Sequence, residues 1–197
     1  MRQPQRGFTI LEVMIVITIA AFIMASAMPS VGAWMRNTRI RTAAESISIG
    51  LQQARNEAVR RNQPVGFYLV SETDTTAMSD ACALSASSGG WVVSLASPAG
   101  KCATNRDTFI AARPAGNVSG GLSVTSVDSA ASAATSISFN GYGQVTGANA
   151  IACVRVRNTA DTTARGLNIS VNAGGQVRMC DPAVGSSDPR ACPAECT

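Results

Sequence analysis

Gly7-Phe8-Thr9-Ile10-Leu11-Glu12-Val13 opens a long apolar run, and the reading of that run decides the fold. From Val13 to Met35 there is no charged residue. As a helix, such a run is long enough to cross the ~30 Å hydrocarbon core of a bilayer. Glu12 stands at its head, where an ionised carboxylate facing lipid costs several kcal/mol. Arg2 and Arg6 precede the glycine. A secretory signal peptide has a basic start, an apolar core of about 7–15 residues and a small-residue cleavage site, and Ala25-Ser26-Ala27 fits the last of these. The apolar run nevertheless continues to Trp34 and Met35, and neither a signal peptide nor a plain anchor accounts for Gly7 and Glu12.

Past the run, the pattern changes from continuous to striped. Ile40, Ala44, Ile47, Leu51, Ala54 and Ala58 recur in steps of three and four, which is one face of an α-helix. Pro64 disfavours helical geometry at Gln63, so a helix from Phe8 is expected to stop near Asn62. Pro29 is expected to bend or loosen it. Arg55, Arg60 and Arg61 fall off the stripe and are expected on a solvated face.

Everything after Pro64 reads as β. Strands are expected at 65–70, 90–95, 122–127, 136–139, 144–146, 151–157, 166–171 and 176–179, with a short one at 108–112. Residues 71–89 are rich in Ser, Thr, Ala and Asp and read as a loop. Asn140-Gly141 between alternating runs is a hairpin signal. The tail 181–197 holds three prolines and two cysteines without periodicity, and is expected to be a stapled loop. The fold class is therefore α+β: a long N-terminal helix packed on a C-terminal antiparallel β-sheet head.

With 197 residues, there is room for one domain beyond the apolar segment. The net charge of +4 is too weak to predict nucleic-acid binding by itself. Fifteen of the sixteen basic residues are Arg, a bias that a GC-rich genome explains as well as function does. Cys82, Cys102, Cys153, Cys180, Cys192 and Cys196 all follow the apolar segment, the pattern of a disulfide framework in an oxidising compartment. Fifteen pairings are open; Cys82 with Cys102 is expected locally, and Cys153 with one of the last three. There is no His, no Cys-x-x-Cys and no carboxylate cluster, which argues against a metal. No nucleophile–base pair or phosphate loop is found, so neither catalysis nor a cofactor is expected.

The opening stretch resembles the prepilin leader of the type IV pilin and type II secretion pseudopilin superfamily. In that family a prepilin peptidase cuts after the glycine, here Gly7. The new N-terminal residue, here Phe8, is methylated on its amine, and the fifth mature residue is a glutamate, here Glu12. Pro29 falls where many members carry a helix-bending proline. Leu51-Gln52-Gln53-Ala54-Arg55-Asn56-Glu57-Ala58 and Ile137-Ser138-Phe139-Asn140-Gly141-Tyr142-Gly143 resemble the helix and hairpin segments of the GspH/FimT-type (FimU-like) minor pilins and pseudopilins. Gly174-Gly175-Gln176-Val177-Arg178-Met179-Cys180-Asp181-Pro182 resembles that family's final strand. Residues 71–121 match poorly.

The resemblance implies a leader at 1–7, a transmembrane or filament-core segment at 8–35, and a periplasmic domain at 36–197. The last divides into an amphipathic helix at 36–62, a β head at 65–180 and the stapled tail. It implies a single-pass inner-membrane protein with other major and minor pilins or pseudopilins and the prepilin peptidase as partners. A charge count alone leaves orientation open, because Arg36, Arg39 and Arg41 follow the span. The expected mechanism is helix packing plus pairing of Glu12 with a neighbouring subunit's Phe8 amine, in a pilus or a secretion pseudopilus; the stapled Cys-Asp-Pro tail favours the pilus. A second reading is a DNA receptor. Some FimT-type members carry Gly-Arg-x-Arg at the last strand; here Gln176 replaces the first arginine. Arg178, Arg190, Arg155 and Arg157 are the candidate phosphate contacts.

Overall fold

The computed structural model describes residues 7–72, 77–104, 107–117, 121–161 and 164–196, without the side chains of residues 26–30 and 117. The leader arginines Arg2 and Arg6 and the side chain of Pro29 therefore lie outside the described residues. Two compact units are distinguished, Met1–Arg36 and Asn37–Thr197, and helix α1 (Ile10–Arg61) contributes to both. The backbone stays helical through position 29.

In the second unit, α1 presents Ile40, Ala43, Ala44, Ile47, Leu51, Ala54 and Ala58, all buried, as the expected stripe. Its end is a Schellman motif. Asn62 adopts φ 50°, Gln63 N–H donates to Ala58 O at 3.3 Å, and Asn62 N–H donates to Val59 O at 3.3 Å. Asn is one of the few side chains that tolerate this left-handed conformation, and Pro64 then prevents continuation.

Among the described residues ten strands follow: β1 (Val65–Ser71), β2 (Ala83–Leu84), β3 (Gly90–Ser94), β4 (Phe109–Arg113), β5 (Leu122–Val127), β6 (Ser136–Phe139), β7 (Val145–Thr146), β8 (Cys153–Asn158), β9 (Leu167–Val171) and β10 (Val177–Cys180). They form two antiparallel sheets. The first has the order β4-β3-β1-β6-β7 with β2 also on β1; the second has the order β10-β9-β8-β5. The antiparallel β head is divided between two sheets, and β2 forms a short ladder within the segment read as loop, pairing Val70 with Leu84. Alternation defines which face of a strand is buried but not which strand it pairs with, so the division is not written in the periodicity. Backbone bonds join the sheets: Ser126 N–H donates to Ala86 O, and Val145 N–H to Ala173 O.

One core gathers the helix stripe with Val65, Phe67, Leu69, Trp91, Val93, Ile137 and Phe139 of the first sheet. Val124, Val154, Val156, Ile169 and Val171 of the second sheet join the same cluster. On the first sheet's other face, Val70, Val92, Tyr68 and Phe109 pack with Met78 and the Cys82–Cys102 disulfide. On the second sheet's outer face, Cys153–Cys196 and Cys180–Cys192 fasten the tail over β8 and β10.

Gly50 sits in the buried stripe where the helix meets the first sheet. A Cβ there would lie 2.8 Å from Phe67 Cε2 and 2.9 Å from two atoms of the Trp91 ring. The Trp91 indole N–H donates to Ser46 Oγ at 3.2 Å, one turn away. Gly50→Val is expected to cost about 2 kcal/mol through overpacking, a Tm drop of roughly 4–8 °C. Thermal unfolding of the full chain in detergent measures it. Ile49→Ala, at a 57% exposed neighbour, is the control and should move stability by no more than about 0.5 kcal/mol.

Candidate functional site

The N-terminal residues form the first candidate site. Gly7, Phe8 and Thr9 lie outside the helix and are exposed, with Phe8 at 82%. Thr9 caps α1: its Oγ1 accepts the Glu12 backbone N–H at 3.2 Å, and its carbonyl accepts Val13 N–H at 3.2 Å. Thr9-x-x-Glu12 has the spacing of a capping box, and a carboxylate in the first turn faces the positive end of the helix dipole. Glu12 thus has a local structural reason that the apolar context obscured.

Behind it, Ile10, Leu11, Met14, Val16, Ile17, Phe22, Ile23 and Met24 are each at least 60% exposed, on every side of the helix. Thr18 turns its hydroxyl onto Met14 O and Ile15 O, both at 2.8 Å, and so hides its one polar group. Among the described residues, no helix is long and apolar enough to cross a membrane.

In the head, the three segments that carried the helix, hairpin and final-strand resemblances meet at one point. Arg55 Nε donates to Gly143 O at 3.1 Å. Gly143 (φ 74°) lies in the β6–β7 turn and Gly175 (φ 77°) in the β9–β10 turn. The two turns touch so closely that a Cβ on Gly175 would collide with Gly143 O and stand 3.2 Å from Arg55 Nε. Gly141, in turn, lies against Asn62 at the helix end. The solvated-face expectation is corrected for Arg55, which is half-buried in this junction; Arg60 and Arg61 instead pair with Glu57 at 2.6 and 2.8 Å. The tie spans 88 residues of sequence, which no local pattern reports.

The candidate phosphate-binding arginines lie on the second sheet and in the tail, and three of them are engaged within the chain. Arg155 and Arg157 on β8 and Arg178 on β10 occupy the outward positions of the second sheet, opposite the buried Val154, Val156 and Ile169. Arg157 is half-buried, and its Nη1 donates to Val156 O, Leu167 O and Asn168 Oδ1. Burial, then the neighbouring Arg155 charge, pull its pKa down. Arg178 donates to Ala191 O in the tail, and Arg190 pairs with Asp188 at 2.7 Å. Asn168, fully buried, donates to Cys196 O and so links Arg157 to the tail.

Two carboxylates hold that tail. Burial pushes Asp181 up, but the Ala183 N–H and Arg165, with the charges of Arg165 and Arg190, outweigh it and leave the group below its ordinary value. Hydrogen bonds from the Arg190 side chain and backbone N–H lower Asp188 to about 2.

The family model described as type II transport protein GspH matches residues 43–175. The prokaryotic N-terminal methylation motif matches residues 2–28. Two crystal structures of the Pseudomonas aeruginosa type IV minor pilin FimU are similar. One has 16% identity, covers 78% of this chain and 97% of that chain, and gives a TM-score of 0.50. The other has 14% identity, coverage of 75% and 97%, and a TM-score of 0.47. At such identities the likeness is one of fold: a long N-terminal helix with an antiparallel β head. No curated protein matches by sequence.

Arg55→Ala is expected to cost about 1 kcal/mol, the net worth of one side-chain hydrogen bond, with Tm falling by about 2–4 °C. An unchanged Tm means the junction carries no stability. Lowered carboxylate pKa values stabilise the folded tail fully above the unfolded value of about 3.9 and lose that contribution as pH falls through the folded value. The amide NMR signals of Asp188 and Arg190 should therefore titrate with a midpoint at about 2. A midpoint at the ordinary carboxylate value would overturn the pairing.

Proposed function

Because this chain belongs to the GspH family of type II transport proteins, we propose that it is made as a precursor, cut between Gly7 and Phe8, methylated on the Phe8 amine, and built into a filament. The family makes it a minor pilin or pseudopilin, a structural subunit. The filament is a type IV pilus or a type II secretion pseudopilus, and the subunit helps prime it. It performs no catalysis and requires no cofactor; it is instead the substrate of the prepilin peptidase and of the methyltransferase.

The observation that carries this reading is the N-terminal segment. The methylation motif covers residues 2–28, and within it the Gly7–Phe8 bond is exposed and non-helical. A peptidase needs an extended substrate, and the Thr9 cap starts the helix only after the bond. In this reading, which the methylation motif supports, the segment 8–35 serves first as a single-pass anchor in the inner membrane and then packs on neighbouring subunits. Glu12 pairs with the Phe8 amine of an adjacent subunit, since a carboxylate withdrawn from water needs a partner. Three disulfides support a periplasmic head. The nucleic-acid reading draws no support from the head, where Arg157, Arg178 and Arg190 are engaged within the chain.

Co-expression with a prepilin peptidase tests the processing step: the wild type should lose seven residues by mass, and Gly7→Arg should keep them. Glu12→Ala should insert in the membrane and be processed, yet enter filaments at least roughly tenfold less, as expected for the loss of one charge pair worth about 1.4 kcal/mol or more. Normal incorporation of this variant would sink the pairing. A deletion strain scored for twitching and for protein secretion separates the two filaments.

A further inference from the structure

We propose that the two tail disulfides form a thiol–disulfide exchange site for an anionic monothiol, entered at Cys192 and emptied at Cys153. Three observations carry it. The Sγ atoms of Cys180, Cys192 and Cys196 all lie within 4.8 Å of one another, although they belong to two different disulfides. Of the four cysteines, only Cys192 is partly open to solvent; Cys153, Cys180 and Cys196 are buried. A cleft of about 440 Å³ reaches Cys180 and is lined by Arg41, Arg165 and Arg190, which also pair with Glu45, Asp181 and Asp188 respectively.

These features give the exchange a direction. An external thiolate attacks the accessible Cys192 Sγ, forming a mixed disulfide there, and the Cys180–Cys192 bond breaks with its electron pair on Cys180. Cys180 lines the cleft that these arginines share; a nearby positive charge stabilises a thiolate, and a stabilised thiolate is the better leaving group. The Cys180 thiolate then attacks Cys196 Sγ, forming Cys180–Cys196, and the Cys153–Cys196 bond breaks to release a thiolate on Cys153. One disulfide is consumed and one formed at each step, so no external oxidant or reductant is required. The tail's inner anchor moves from β8 to β10.

The test uses the full chain in detergent and two probes of matched thiolate concentration, 2-sulfanylethanesulfonate and the neutral 2-sulfanylethanol. After brief exposure, thiols are trapped with iodoacetamide under denaturing conditions and mapped by mass spectrometry. The expected products are the probe on Cys192, the alkyl group on Cys153, and a Cys180–Cys196 linkage, formed faster with the anionic probe. Alkylation of Cys180 with Cys153–Cys196 intact overturns the relay, and equal rates for the two probes overturn the role of the arginines. Cys192→Ser gives an independent answer, because it leaves a free Cys180 without any added thiol. Residue 196 should then be recovered linked to Cys180, with Cys153 alkylated; recovery of Cys153–Cys196 alone overturns the proposal.

Discussion

The head depends on how closely one helical stripe seats against β-sheet. Alanine at 43, 44, 54 and 58 and glycine at 50 remove side-chain bulk along the buried face of α1, so that Phe67 and Trp91 reach nearly to the helix backbone. Large residues at 40, 47 and 51 then fill the space between. Both sheets deliver their inward-facing residues to this same cluster, so neither has a separate core facing the helix. A helix–sheet interface of small and large residues in alternation packs at interior density only in one register. The Trp91 indole bond to Ser46 reports that register.

Much of this was legible in the sequence. The steps from Ile40 to Ala58 gave the buried face, and Asn62 before Gln63-Pro64 marked the helix end. Asn140-Gly141 located a turn. Two things were not legible. The strand at 122–127 alternates like its neighbours, yet it pairs with β8 in a second sheet, because alternation carries no information about partners. Arg55 was placed with Arg60 and Arg61 by its position off the stripe, but its partner is a carbonyl 88 residues away. In the candidate site, the glycine, the aromatic residue and the glutamate stood out at once, whereas Thr9 did not. Its role is a backbone bond three residues along, visible in the text only as a capping-box spacing.

The junction at Arg55 and the core differ in what their positions tolerate. Core positions accept many apolar residues of suitable volume. Positions 143 and 175 accept almost none, since each needs a positive φ and two turns touch there. Residues with such narrow tolerance are what a family resemblance is made of, even where they hold no ligand.

The disulfides limit how far this protein extends under load. In a chain pulled from its ends, a disulfide removes the enclosed residues from the length that can pay out. Cys82–Cys102 and Cys153–Cys196 close sequence separations of 20 and 43, and Cys180–Cys192 lies inside the second. At ~3.3 Å per extended residue, about 200 Å of chain is withheld. An unfolded head would therefore pay out that much less chain, with the last strands and the tail moving as one cross-linked piece.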